Sequence, residues 1–206
     1  LSLPRLSNVD KNFLVHPISI QEVEAALHSM ADNKAPGPDG LNIKSIKFLW
    51  PCIGKKVFSF IESFCNSCYI PAGLNSSFLA LIPKLLSPST VKDYRPISLI
   101  NSSIKIVTKI LAYRLASLID KLISDTQTGF VKGRQASESI LIVKEVDSIQ
   151  KRKCKGVILK LDFEKAFDTI NWDFLLDLML TMNFDQQWCK WIKTLLESTR
   201  KQWYSF

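Results

Sequence analysis

No stretch of the sequence approaches the ~18–20 consecutive apolar residues that a membrane-spanning helix requires, so no helical span is expected. The opening residues LSLPRLSNVDKNF lack the charged-then-apolar order of a secretory signal. Cysteines number five, an odd and scattered set that does not make a disulfide framework. Together these absences point to an intracellular protein with no membrane partner. Histidine is nearly missing, with His16 and His28 alone. A zinc site built on the Cys65-x-x-Cys68 pair needs a second pair of ligands, and both histidines lie far upstream. Those cysteines therefore read as residues of a helix face. There is also no repeat, no low-complexity tract and no linker long enough to divide the chain. The chain begins at Leu1 and ends at Trp203-Tyr204-Ser205-Phe206 without a turn or cap signal, so both ends read as cuts.

The bulk composition is that of a folded protein. Across 206 residues, 47% are hydrophobic and 22% charged, enough apolar material for a sizeable core. The formal net charge is +8. That balance favours contact with a polyanion, either nucleic acid or an anionic membrane.

Periodicity supplies the elements. Residues 1–18 read as an irregular lead-in. Ser19 and Glu22 form a capping box, with Ile18 and Val23 as its hydrophobic staple. The helix they open carries Ile20, Val23, Leu27 and Met30 on one face. It stops before Asn33-Lys34-Ala35-Pro36-Gly37-Pro38-Asp39-Gly40, where prolines and glycines forbid regular structure. Two helical stretches follow, over 41–49 and 52–68, divided at Pro51. Residues 77–83 and 94–99 are short apolar runs joined by a turn-rich link, which predicts an antiparallel hairpin. A helix is expected from 104 to 122, then a loop over 124–134 and a helix over 136–150. The run Val157-Ile158-Leu159-Lys160-Leu161-Asp162 reads as a buried strand. Helices near 171–182 and 185–200 end the chain. The class is α+β, rich in helix with a few strands.

Three places carry chemistry. A buried strand would deliver the Asp162 carboxylate at its exposed end, and Glu164 and Asp168 follow closely. Hard oxygen ligands on a rigid element suit Mg²⁺, with substrate phosphate completing its shell. The bland alternative is a solvated aspartate opening a helical turn. Next, Lys84 follows the first hairpin strand and Arg95 begins the second. Such a tip can hold a triphosphate, Arg by its fork and Lys as a point charge; two solvated surface cations are the commoner case. Finally, Lys132-Gly133-Arg134 is a glycine-punctuated basic loop able to track a phosphate backbone. Its plain counterpart is an ordinary helix-entry loop. Lys151, Arg152, Lys153 and Lys155 add a basic turn.

Five blocks in order carry a resemblance. They are Lys34-Ala35-Pro36-Gly37-Pro38-Asp39-Gly40, Leu81-Ile82-Pro83-Lys84, Asp93-Tyr94-Arg95-Pro96-Ile97-Ser98-Leu99, the segment from Gln127 through Gly129 and Gly133 to Arg134, and the segment from Leu161 through Asp162 and Phe167 to Asp168. Over residues 20 to 200 the chain resembles the reverse transcriptases of plant-type LINE (non-LTR) retrotransposons. The resemblance implies an RNA-directed DNA polymerase with a right-hand fold: a fingers-like region over 19–156 and a partial palm over 157–206. It implies RNA template, primer DNA and dNTP as partners. Asp162 then matches the first metal-binding aspartate of the palm, with the Phe163 carbonyl as a further ligand of Mg²⁺. Phe167 matches the aromatic gate against a ribose 2′-hydroxyl. Lys84 and Arg95 match the residues that grip the incoming triphosphate. One departure bears on activity. The family also needs an aromatic-x-Asp-Asp hairpin, and no Asp-Asp dipeptide occurs in these 206 residues. A fragment inactive on its own is therefore expected. The alternatives are a non-catalytic RNA-binding relic and a relative of intron maturases.

Overall fold

The computed structural model describes residues 3–124, positions 126, 127, 129, 131, 133 and 134 of the loop that follows, and residues 169–200. The elements are α1 (Asn8–Val15), α2 (Ile20–Ser29), α3 (Ile43–Ser67), β1 (Ser77–Pro83), β2 (Tyr94–Ile100), α4 (Ser102–Ala116), α5 (Ile119–Leu122), α6 (Trp172–Thr181) and α7 (Gln186–Arg200). The expected α+β class holds, with helices dominant and an antiparallel pair of strands. The expected helix over 136–150 and strand over 157–162 lie outside the described residues.

The lead-in is not irregular. Ser7 opens α1 by accepting a hydrogen bond from the Asp10 N–H at 3.2 Å, and the Asp10 carboxylate accepts from the Ser7 N–H in return. That is a capping box with aspartate in the place usually held by glutamate. Leu6 and Leu14 are buried beside it.

At α2 the reverse happens, since only half of the expected box forms. Ser19 accepts from the Glu22 N–H at 3.2 Å, but the Glu22 side chain is drawn away. It meets Arg114 of α4 through two bonds, Nε to Oε1 at 2.7 Å and Nη2 to Oε2 at 2.8 Å. Arg114 is 2% exposed. Its remaining nitrogen donates to the carbonyls of Leu14 at 2.9 Å and His16 at 2.8 Å. One guanidinium thus joins the end of α1, the start of α2 and the end of α4.

Pro51 does not divide α3, which runs unbroken from Ile43 to Ser67. A mid-helix proline forfeits one backbone hydrogen bond and costs about 3 kcal/mol or more. Ile43, Ile46, Ile61 and Phe64 bury one face across the break, while Pro51 itself is exposed. Burying such side chains contributes roughly 1.5–3 kcal/mol each, so the packed face wins. Gly54 makes room for the Trp50 ring, which an added Cβ would approach to 2.9 Å. The Trp50 indole N–H donates to Glu24 of α2 at 2.9 Å.

The core gathers α1–α4 with α7. Val107, Ile110 and Ile106 of α4 are fully or almost fully buried, as is Trp188 of α7. Trp191 and Gln187 of α7 donate to the Cys65 carbonyl at 2.9 and 2.8 Å. The Leu6 N–H reaches the Met182 carbonyl at 2.9 Å, and the Asn183 amide returns to the Leu6 carbonyl at 2.8 Å. Both C-terminal helices form where expected.

Two outcomes follow from this packing. Arg114→Ala leaves Glu22 and two carbonyls without their donor, and removal of one partner of a buried pair costs about 3–5 kcal/mol. Urea denaturation should show that loss, with Arg114→Lys recovering part of it because an ammonium cannot fork; an Arg114→Ala chain within about 1 kcal/mol of wild type refutes the assignment. The second outcome is a pH dependence. The Lys121 ammonium at 2.6 Å, then the Ser7 hydroxyl at 2.7 Å, hold the Asp10 carboxyl below the usual carboxylate range. Because the folded-state pKa is the lower one, this stabilisation is complete above the ordinary carboxylate pKa of about 4 and is lost as pH falls through the depressed value. Melting temperature measured against pH should decline on the acid side, and Asp10→Asn should flatten that limb.

Candidate functional site

The two strands pair antiparallel, with Ser77 opposite Ile100, Ile82 opposite Arg95 and Pro83 opposite Tyr94. The Lys84 N–H donates to the Asp93 carbonyl at 2.7 Å, which continues the ladder by one step. Side chains alternate across a strand and opposed residues share a face. That places Phe78, Ala80, Ile82 and Lys84 on one face with Leu99, Ile97 and Arg95. Lys84 and Arg95 are therefore diagonal neighbours at the open end of the ribbon. Both are exposed. The Lys84 ammonium donates to the Lys92 carbonyl at 2.8 Å, and the Arg95 guanidinium makes no hydrogen bond or ion pair among the described residues. Asp93 lies close by, but its carboxylate is turned into the tip. There it accepts from the N–H groups of Thr90 at 2.8 Å and Ser89 at 3.0 Å. Those donors, with the Thr90 hydroxyl, hold its carboxyl below the usual range.

The ribbon's other end is clamped. Gly37 lies against the Ile100 backbone so closely that an added Cβ would stand 2.4 Å from the Ile100 carbonyl carbon. The Asp39 N–H donates to Asn101 Oδ1 at 2.9 Å, and Asp39 Oδ2 accepts from the Ser102 N–H at 2.7 Å. The Asn101 amide donates to the Leu74 carbonyl at 2.8 Å, just before β1. The Ser102 hydroxyl donates to the Leu41 carbonyl, and Lys105 Nζ to the Ala35 carbonyl at 2.9 Å. Asn101 occupies the N-cap position of α4 without making a side-chain cap bond. The cap comes instead from Asp39, 63 residues earlier in the chain. A carboxylate there also suits the positive end of the helix dipole. The sequence marks the Pro-Gly-Pro-Asp-Gly segment as special, but nothing local says that its aspartate caps a distant helix.

Asp162, Phe163, Phe167, Lys132, Lys151, Arg152, Lys153 and Lys155 lie outside the described residues, as does the boundary drawn at 156/157. Arg134 is described, and its guanidinium faces its own loop. It donates to the carbonyls of Ser124 and Gln127 and to Asp120 Oδ1 at 2.8 Å. In this arrangement it holds the loop closed. Among the described residues, no group of three or more His, Cys, Asp or Glu side chains could hold a metal ion. Burial pushes the Cys65 thiol up to about 12. Cys68 Sγ accepts from Gln187 at 3.1 Å. No described helix is long and apolar enough to cross a membrane.

The sequence profile for reverse transcriptase (RNA-dependent DNA polymerase) matches residues 82–206. The chain belongs to that family, and within it to the reverse transcriptase domains of non-LTR retrotransposons. It is 30% identical over 197 residues to the transposon TX1 uncharacterized 149 kDa protein of Xenopus laevis, covering 95% of this chain and 15% of that protein. To the Pol polyprotein of type-1 retrotransposable element R1 from Bradysia coprophila it is 28% identical over 159 residues, 75% of this chain and 16% of that protein. The RNA-directed DNA polymerase from mobile element jockey of Drosophila melanogaster is 28% identical over 161 residues, 74% of this chain and 17% of that protein. The narrower plant-type likeness rests on the sequence blocks alone.

If Asp39 clamps the ribbon, Asp39→Ala should cost about 1 kcal/mol, as lost helix caps do. It should also speed amide exchange in β2 and the first turn of α4 before it does so in α2. Uniform acceleration throughout the chain contradicts a local clamp.

Proposed function

We propose that the chain supplies the fingers, over 19–156, and the start of the palm, from 157, of an RNA-directed DNA polymerase, and that alone it binds RNA without polymerising. The observation that carries this reading is the shared face of Lys84 and Arg95 at the open end of a ribbon whose base is clamped. A fork and a point charge held side by side suit the phosphates of an incoming dNTP. The family implies a divalent metal. Asp162, a hard carboxylate, would hold Mg²⁺ together with the Phe163 carbonyl, and Phe167 would stand beside the sugar. Bound there, Mg²⁺ would offset charge on the phosphate oxygens. Lys132, Lys151, Arg152, Lys153 and Lys155 would contact the template or primer backbone, with Arg134 shaping the first of these loops.

Polymerisation asks for more than this. Two metal ions clamp the attacking and leaving oxygens. One aspartate and a backbone carbonyl supply too little negative charge to hold both, and no Asp-Asp dipeptide is present. Primer extension on an RNA template with the 206-residue chain should give no product in Mg²⁺ or Mn²⁺. RNA affinity should fall steeply with salt, because phosphate contacts release counterions. Template-dependent synthesis abolished by Asp162→Ala overturns the inactivity; RNA affinity indifferent to salt overturns the binding.

A further inference from the structure

Helix α3 buries one side against the core and turns another to solvent. On that outer side Lys44, Phe48 and Lys55 fall within about 40° of one another around the axis and span about 16 Å along it. Phe48 is 84% exposed, more than any other Phe, Tyr or Trp side chain among the described residues. Lys44 and Lys55 are exposed as well, and Pro51, one turn on from Phe48, continues the same strip. The acidic groups nearby are engaged elsewhere. Asp32 meets the Lys47 ammonium at 2.6 Å, and Glu24 accepts from Trp50. On the strip itself the next carboxylate is Glu62, about two turns beyond Lys55.

From this placement we infer that the outer face of α3 is a contact for single-stranded RNA, with a base stacked on Phe48 and phosphates held by Lys44 and Lys55. An aromatic face between cations is how single strands are held without sequence preference. The charge pattern selects this occupant. A second copy of the chain would bring like charges together, and a membrane surface calls for a broad apolar band where this strip offers one ring and a proline. The helix is packed through its other face, which leaves the strip on its solvent side. The inference rests on the polymerase reading for its partner, but it concerns a surface that reading does not use.

The test is fluorescence anisotropy of a labelled single-stranded RNA oligonucleotide with the 206-residue chain. Phe48→Ala should weaken binding about tenfold and leave the salt slope unchanged. Phe48→Trp should bind as wild type, whereas Phe48→Leu should bind as weakly as Phe48→Ala. Lys44→Ala with Lys55→Ala should lower the log–log salt slope by about 1.4, near 0.7 for each contact. Thermal melts of these variants should match wild type, because the side chains are exposed. If the wild-type chain binds RNA and all four variants bind equally well, this contact is refuted and the polymerase reading stands. If the wild-type chain binds no RNA, both fall. If Phe48→Ala abolishes vesicle binding or self-association and leaves RNA affinity intact, the strip serves another partner and the inference is wrong.

Discussion

Arg114 carries a full charge into the centre of the helical body. A guanidinium cannot shed its proton there, so every donor it brings must find an acceptor. Three segments are arranged to supply them: the Glu22 carboxylate and the carbonyls of Leu14 and His16. The demand is strong enough to alter local structure. Glu22 would ordinarily complete the capping box at the start of α2, and it gives up that bond to face Arg114. The turn between α1 and α2 is fixed by the same constraint, since its carbonyls must point inward.

From Arg114 the order passes along α4 to its other end. There Asp39 and Asn101 join the first turn of α4 to the Pro-Gly-Pro-Asp-Gly loop and to the residues just before β1. An isolated two-stranded ribbon is marginal in water. This one also exposes Phe78, Leu79, Leu81, Ile82 and Ile97, so it draws little stability from burial on either face. Its direction is set at the base. A cap at one end of a helix and a buried ion pair at the other thus place the Lys84 and Arg95 side chains, though neither device touches them.

Elements with a local cause were legible in the sequence. The hairpin followed from two apolar runs and a turn-rich link, and α6 and α7 from their helical periods. α1 also has a local cause, the Ser7–Asp10 box, whose aspartate departs from the usual Ser-x-x-Glu pattern. The other departures share a physical reason, which is competition between local and distant interactions. Pro51 reads as a break because its cost is local, whereas the burial that outweighs it is tertiary. Asp39 belongs to a segment that looks like a loop, and the helix it caps lies far along the chain. The roles expected of Asp162 and Phe167 come only through resemblance: the apolar run ahead of Asp162 suggests a metal-bearing strand end, but spacing alone leaves a solvated aspartate the commoner case.

The net charge of +8 overstates how much of the surface is free to meet a polyanion. Arg114 is enclosed, Lys121 is held by Asp10 and Lys47 by Asp32. Lys105 closes the loop at Ala35, and Arg134 faces carbonyls of its own loop. Each of these cations organises the protein. Other described cations stay exposed without such a role, among them Arg95 at the ribbon's open end and Lys44 and Lys55 on α3. Counterion release scales with the cations that reach phosphate, not with composition. Folding has therefore sorted the basic residues, using some to shape the scaffold and leaving others exposed to solvent.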